Sequence, residues 1–330
     1  MISKQPQCAP WCALIFVFLS VSVFAYETDQ LTNRSQEIAD STTVLNRQVN
    51  LAITRVASGW RGGPDRWAFV QGIYEQIGGP NWVDEIERYA MFSPYVERID
   101  APRWDGIYGD MPLWRTRIIY FTGVSKTIRL GGELVGTDKH GHFISQGRKF
   151  YLRYLKVGSE ELAAKRSAYT ERGIFGSLLA GAYSNADLVA NYEGYRFYRS
   201  LFEDDVVPGK RAILRWQNGA WIMQRPFDWN DHVNEYWDEA LNPSHYDALL
   251  QEAMAERFVL YCPQYWSDPQ AYVVENDDAL RTRYWHLQLR DNRQMRLDSL
   301  CPIYAAEVDE TAISEVVYSD DVCAASSEAC

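Results

Sequence analysis

Three stretches of this chain carry residue types that could do chemistry. In GTDKHGHF, residues 136–143, Asp138 and His142 stand four positions apart. On a helix that spacing puts both on one face, with His140 pointing elsewhere. An Asp–His pair can position a proton donor or help ligate a metal. The five histidines, at 140, 142, 232, 245 and 286, form no H-x-x-x-H. A metal centre built on Asp138, His140 and His142 would therefore lack that helical ligand pair, and no metal is assigned. The stretch reads equally well as a helix start, with Asp138 as cap and His142 as a satisfied buried group.

The second stretch is ERGIFGSLLAGAYSNADLVANYEGYRF, residues 171–197. Glu171 closes the helix-like segment SEELAAKRSAYTE, and Gly173 follows where helices commonly stop. A carboxylate at the negative end of a helix dipole gains proton affinity. Ile174 and Phe175 could desolvate it further. Both effects raise a Glu pKa, as a general acid near neutrality requires. An ordinary surface glutamate is the competing reading.

The third stretch, residues 225–246, mixes Trp229, Tyr236 and Trp237 with Asp228, Asp231 and Asp238. Aromatics with acids can line a sugar cleft. The same stretch also reads as an amphipathic helix ending at Asn242-Pro243-Ser244.

The elements that must hold these residues are mostly helical. Leu45, Val49, Ile53 and Val56 recur at helical spacing in 43–60. A second helix runs from Pro64 to the Gly78-Gly79 stop, and a third, capped by Asn81, carries Glu85 and Arg88 on one face. Prolines and glycines make 93–113 a long loop. Residues 114–136 read as helix or mixed structure. Helices are predicted over 137–158, over 159–171 with Ser159 as cap, and from the Ser184-Asn185 cap to about Phe202. KRAILRWQ-NG-AWIM is the one clear β-hairpin signal. Further helices are expected at 229–240 and 243–258, and 270–300 reads as mixed.

With 330 residues and 47% hydrophobic content the chain can bury a sizeable core. Aromatics reach 14%, which suits either a sugar-facing protein or an aromatic-rich core. A net charge of −11 argues against a nucleic-acid partner. Residues 1–25 have the pattern of a secretory signal: Lys4, an apolar run, then Val23-Phe24-Ala25. Its removal would leave no stable membrane span and four cysteines, Cys262, Cys301, Cys323 and Cys330. Four cysteines in an exported chain suggest disulfides with three possible pairings, of which Cys262–Cys301 and Cys323–Cys330 is favoured. The organisation expected is a signal over 1–25, a loose leader over 26–42, a helical domain over 43–260, and a C-terminal extension over 261–330.

The order helix, terminal Glu, short loop and central helix resembles the lysozyme-like superfamily. More narrowly, GTDKHGHFISQG followed by ERGIFGSLLAGAYSNADLVANYEGYRFY is similar to periplasmic lysozymes of predatory bacteria that act on deacetylated peptidoglycan. The resemblance spans residues 85–260. It implies a mainly α, lysozyme-like helical domain with a small β-hairpin and a C-terminal extension. It makes Glu171 the acid and sets Tyr183 or Ser184 across the cleft from it, Tyr183 positioning water or stabilising the developing cation. Asp138, His142, Ser184, Asn191 and Tyr192 would line the cleft, and no cofactor is implied. The partner would be peptidoglycan or another envelope glycan, met in the periplasm or outside the cell. No second carboxylate stands at an obvious place, so a retaining or inverting outcome stays open. A non-catalytic envelope protein that binds glycan or a protein through the same groove is the alternative.

The signal pattern predicts a mature chain starting near Tyr26. N-terminal sequencing of exported protein checks this, and a product beginning at Met1 would refute cleavage.

Overall fold

The structure is a computed structural model that describes residues 27–79, 83–101, 104–111, 123–170 and 182–306. Helices dominate and the strands are short. The first helix, α1, spans Thr42–Gly59, with Leu45, Val49 and Ile53 buried as their spacing requires. Helix α2 spans Arg66–Ile77, and Asp65 caps it by accepting from the Ala68 N–H. Helix α3 spans Glu85–Phe92 with Asp84 at the cap position. The cap expected at Asn81 lies outside the described residues, while the Glu85–Arg88 pair forms at 3.0 Å. Among the described residues no helix is long and apolar enough to cross a membrane.

The middle of the molecule is one continuous helix, α4, made of Lys139–Gly141, a π-helical turn His142–Gln146, and Gly147–Val157. Helix α5 follows at Glu160–Thr170 and α6 at Asn185–Ser200. Ser159 and Ser184 act as the expected caps, accepting from the Leu162 and Asp187 N–H groups. Helix α6 is buried along almost its whole length and crosses α4 at two glycines. A Cβ on Gly194 would sit 1.9 Å from the Phe143 carbonyl oxygen, and one on Gly147 would sit 2.6 Å from the Gly194 backbone. Only glycines permit that approach. Phe143, whose carbonyl faces Gly194, lies within the π-turn, which adds a residue to one helical turn.

Two hairpins form. The expected one pairs Leu214–Gln217 with Ala220–Met223 around Asn218-Gly219, both at positive φ. A second pairs Thr127–Leu130 with Glu133–Gly136 around Gly131-Gly132, also both at positive φ. The reading of 114–136 as helix or mixed structure passed over this Gly-Gly turn.

Three sequence expectations change. Residues 229–240 form two 3-10 turns, Trp229–Asp231 and Glu235–Trp237, rather than a helix. The Asp228 and Asn234 side chains accept from Asn230 and Tyr236 N–H groups, so each turn is capped before a helix can propagate. The expected 243–258 helix starts at Ala248, because His245–Tyr246 pairs with Ala182–Tyr183 as a strand. The leader is not loose from Glu27 onward. Residues 27–32 are buried, Glu27–Thr28 lies parallel to Val124–Ser125, and Arg34 pairs with Asp238 at 2.7 Å.

The main core joins α1, α2, α4 and α6 to Phe227, Trp229 and Trp237, and extends to Leu280, Tyr284 and Leu287. A second core gathers Leu31, Tyr108, Leu250, Met254 and Phe258 around Cys262 and Cys301. These two cysteines are bridged across a separation of 39 residues. On the chain-entropy account such a closure contributes about 4 kcal/mol. Cys323 and Cys330 lie outside the described residues.

Gly194→Ala is predicted to cost about 3 kcal/mol, because the methyl group must force α4 and α6 apart. Urea unfolding measures it; a midpoint equal to the parent's would show that the crossing is not tight.

Candidate functional site

The turn after the second hairpin delivers Asp138 and Lys139 to the start of α4. Lys139 is only 1% exposed, yet it is a cation. Its Nζ donates to Asp138 Oδ2 and Glu239 Oε1, each at 2.6 Å, and reaches Thr28 Oγ1 at 3.4 Å. Asp187 Oδ1 lies 2.7 Å from the same nitrogen, a close ion pair without a hydrogen-bond angle. Thr28 Oγ1 also donates to Asp138 Oδ1 at 3.0 Å, and Ser184 Oγ to Glu239 Oε1 at 3.0 Å. A Cβ on Gly136 would collide with Asp138 Oδ1 and Thr28 Oγ1 at 2.4 Å, so the hairpin's last residue must be glycine for this packing.

Asp187 comes from the first turn of α6. It is 18% exposed, and His142 beside it is 20% exposed, so this edge of the cluster meets solvent. His142 Nε2 lies 3.3 Å from Asp187 Oδ2, and its Nδ1 donates to Asn191 Oδ1 at 3.0 Å. Both ring nitrogens thus face oxygen acceptors.

The electrostatics divide these acids into two sets. Burial, with Lys139 only partly compensating, raises Glu239. Burial and the neighbouring charges of Glu239 and Asp187 raise Glu27 well above the ordinary carboxylate range. Burial, with Asp138 and Asp84 nearby, does the same to Glu87, and burial lifts Asp84 to about 7. Asp187 goes the other way. Burial pushes it up, but His142 and Lys139 more than offset this and hold it below its usual value. Lys139 loses affinity through burial and regains more from Asp138, Asp187 and Glu239, so it stays protonated. Acids whose proton affinity is raised beside one whose affinity is lowered are the pattern of acid–base chemistry.

Asp138 and His142 do share a face, but Asp138 spends its side chain on Lys139 and Thr28 and does not cap the helix. Ser184 and Asn191 join the cluster through Glu239 and His142. Tyr192 does not: its hydroxyl donates to Glu160 Oε1 at 2.6 Å. Tyr183 is fully buried, with its hydroxyl donating to the Gln288 carbonyl and Arg290 over its ring. Glu171 lies outside the described residues. His140 is buried against Trp229, with Nδ1 3.0 Å from the Thr137 carbonyl oxygen, and burial lowers it to about 4. The proposed aromatic cleft of 225–246 is core instead: Trp229, Tyr236 and Trp237 are at most 2% exposed.

Sequence reading passed over Lys139, Asp187, Glu239, Glu27 and Thr28. Asp187 had a faint signal, as the acid three residues after a Ser cap. Nothing local marked Glu239 or Glu27, which reach the site only through the fold. Among the described residues Asp138, His142 and Asp187 offer donor atoms within 4.8 Å of one another, a grouping that could hold a divalent cation. Lys139 already neutralises two of these three side chains. No family model, curated protein or solved structure matches this chain.

Lys139→Met is predicted to destabilise by about 3–5 kcal/mol at pH 8, since it strands buried carboxylates without their cation. The penalty should shrink toward pH 5. Glu27 and Glu239 have raised folded pKa values, so their stabilising contribution is complete below the ordinary value of about 4 and is lost as pH rises through the raised ones. Protonated acids miss the lysine least. Urea titrations of parent and variant at both pH values decide it, and equal stability at pH 8 would show the ion cluster to be dispensable.

Proposed function

We propose that this chain is a cell-envelope hydrolase that cleaves glycan strands by general acid catalysis, on a lysozyme-like helical domain. The sequence resemblance supports the substrate class, peptidoglycan or another envelope glycan. The observation that carries the chemistry is the Asp187–His142 edge of the Lys139 cluster. A glycosidase needs one carboxyl that keeps a proton and one that is ionised. Glu171 is the proton donor in this reading. Asp187 is the ionised partner that no sequence pattern singled out, kept charged by His142 and Lys139 and open to solvent on one side. It stands on the helix that follows the segment 171–181. Asn191 orients His142, and Ser184 orients Glu239. Tyr183, fully buried, has no part in the revised mechanism. The signal pattern over 1–25 would place the enzyme in the periplasm or outside the cell.

A second reading, a metal-dependent envelope hydrolase, is favoured by the grouping of Asp138, His142 and Asp187. Elemental analysis of the purified protein separates the two. Stoichiometric metal together with loss of activity on chelation selects the metal reading.

The mature protein should release fragments from acetylated or deacetylated sacculi. Glu171→Gln and Asp187→Asn should each lower that rate by about 10²–10⁴ while circular dichroism stays unchanged. Because the Asp187 carboxyl sits below its ordinary value, its ionised form should persist to pH below about 4 before activity falls on the acid side. Parent-like cleavage by Glu171→Gln ends this mechanism. A parent that digests neither preparation makes non-catalytic binding of glycan or protein the better account.

A further inference from the structure

The chain carries 44 acidic against 33 basic side chains, yet one cleft is basic. It opens between the start of α2 and the 214–223 hairpin, beyond the end of α6, with a volume of about 690 Å³. Ligand sites commonly fall between roughly 300 and 1,000 Å³. Arg66, Arg211 and Arg215 line it, and all three are exposed. Among the described residues no carboxylate comes within 4.0 Å of any of the three guanidinium groups. The nearby Arg225 and Arg199 are by contrast neutralised, Arg225 by Asp231 at 3.0 Å and Arg199 by Glu203 at 2.7 Å. The one acid in the cleft wall, Asp204, is committed to the backbone, accepting from the Ala212 N–H at 2.7 Å.

The floor is aromatic. Trp216 and Trp221 meet edge to face with centroids 5.1 Å apart, and Phe202 packs on Trp221 at 5.0 Å. Trp221 is buried and anchors the group, whereas Trp216 is half-buried and offers surface to the cleft. Arg66 lies 5.7 Å from the centre of the Phe202 ring. Planar guanidinium groups pair with carboxylates through two parallel hydrogen bonds, and a flat indole stacks on the apolar face of a sugar ring. The strong overall negative charge disfavours a dense polyanion such as nucleic acid. Discrete carboxylates on a neutral ring scaffold fit both features.

We propose that this cleft binds an acidic oligosaccharide, with sugar rings on Trp216 and carboxylates on Arg66, Arg211 and Arg215. The site is separate from the Lys139 cluster and does not rest on the hydrolytic reading. The test titrates the mature chain with tetragalacturonate, using cellotetraose as the neutral match, by calorimetry and tryptophan fluorescence. The acidic sugar should bind at least tenfold more tightly than the neutral one and should weaken with added salt. The double variant R211Q/R215Q, both at exposed positions, should lose at least tenfold in affinity with circular dichroism unchanged, and Trp216→Ala should lose the fluorescence response. Glu171→Gln should bind as the parent does, which separates this site from catalysis. Absence of binding overturns the proposal, as does equal binding of the neutral sugar or parent-like affinity in the double variant. Competition by inorganic phosphate at the same concentration as the sugar would reduce the cleft to a simple anion site and overturn it as well.

Discussion

A buried lysine organises this protein. Removing an ammonium group from water costs several kcal/mol, and the fold recovers that only by surrounding Lys139 with acids of correct geometry. One of those acids, Asp138, is its neighbour in sequence, and two come from distant parts of the chain: Asp187 on α6 and Glu239 after the second 3-10 turn. Thr28 adds a hydroxyl from the N-terminal segment. One cation thereby ties together the start of α4, the start of α6 and the segments at 27–34 and 234–242. The residues around it follow from that demand. Gly136 clears space for the Asp138 and Thr28 oxygens, and Gln30 accepts from the Glu239 N–H.

The arrangement also sets up an asymmetry. Acids on the inner side, Glu27 and Glu239, are pushed toward the neutral form by burial. The acid on the outer side, Asp187, stays ionised because His142 joins Lys139 in facing it. A single cluster thus shifts neighbouring carboxyls in opposite directions. Structural ion clusters can do the same without catalysis, so the exposure of the Asp187–His142 edge is what directs the reading toward chemistry.

A second buried acid makes the contrast clear. Glu193, fully buried on α6, is met by Arg196, Arg283, His232 and the Tyr284 hydroxyl. Its partners surround it with no exposed edge of its own, and it ties the C-terminal segment to the central helix. Two acids six residues apart on one helix therefore differ in role through what packs against them, not through their own type or spacing.

Local signals alone determined much of this protein. Hydrophobic spacing placed α1, the Asn-Gly pair placed one hairpin, and Ser159 and Ser184 marked helix starts, since each depends on interactions within a few residues. The joint placement of Asp138 and His142 was legible for the same reason, being a matter of helical period. Tertiary structure decided the rest. Whether 229–240 became a helix depended on side chains that capped each short turn and on Asn46 and Asn50 of α1, which hold Trp229 and Phe227. Whether the aromatics of that stretch faced a sugar or a core depended on α4 and α6 packing over them. The lysine cluster was invisible because Lys139 meets partners as far as 111 residues away in sequence. A charge becomes costly, and so selects its partners, only once a fold has removed it from water.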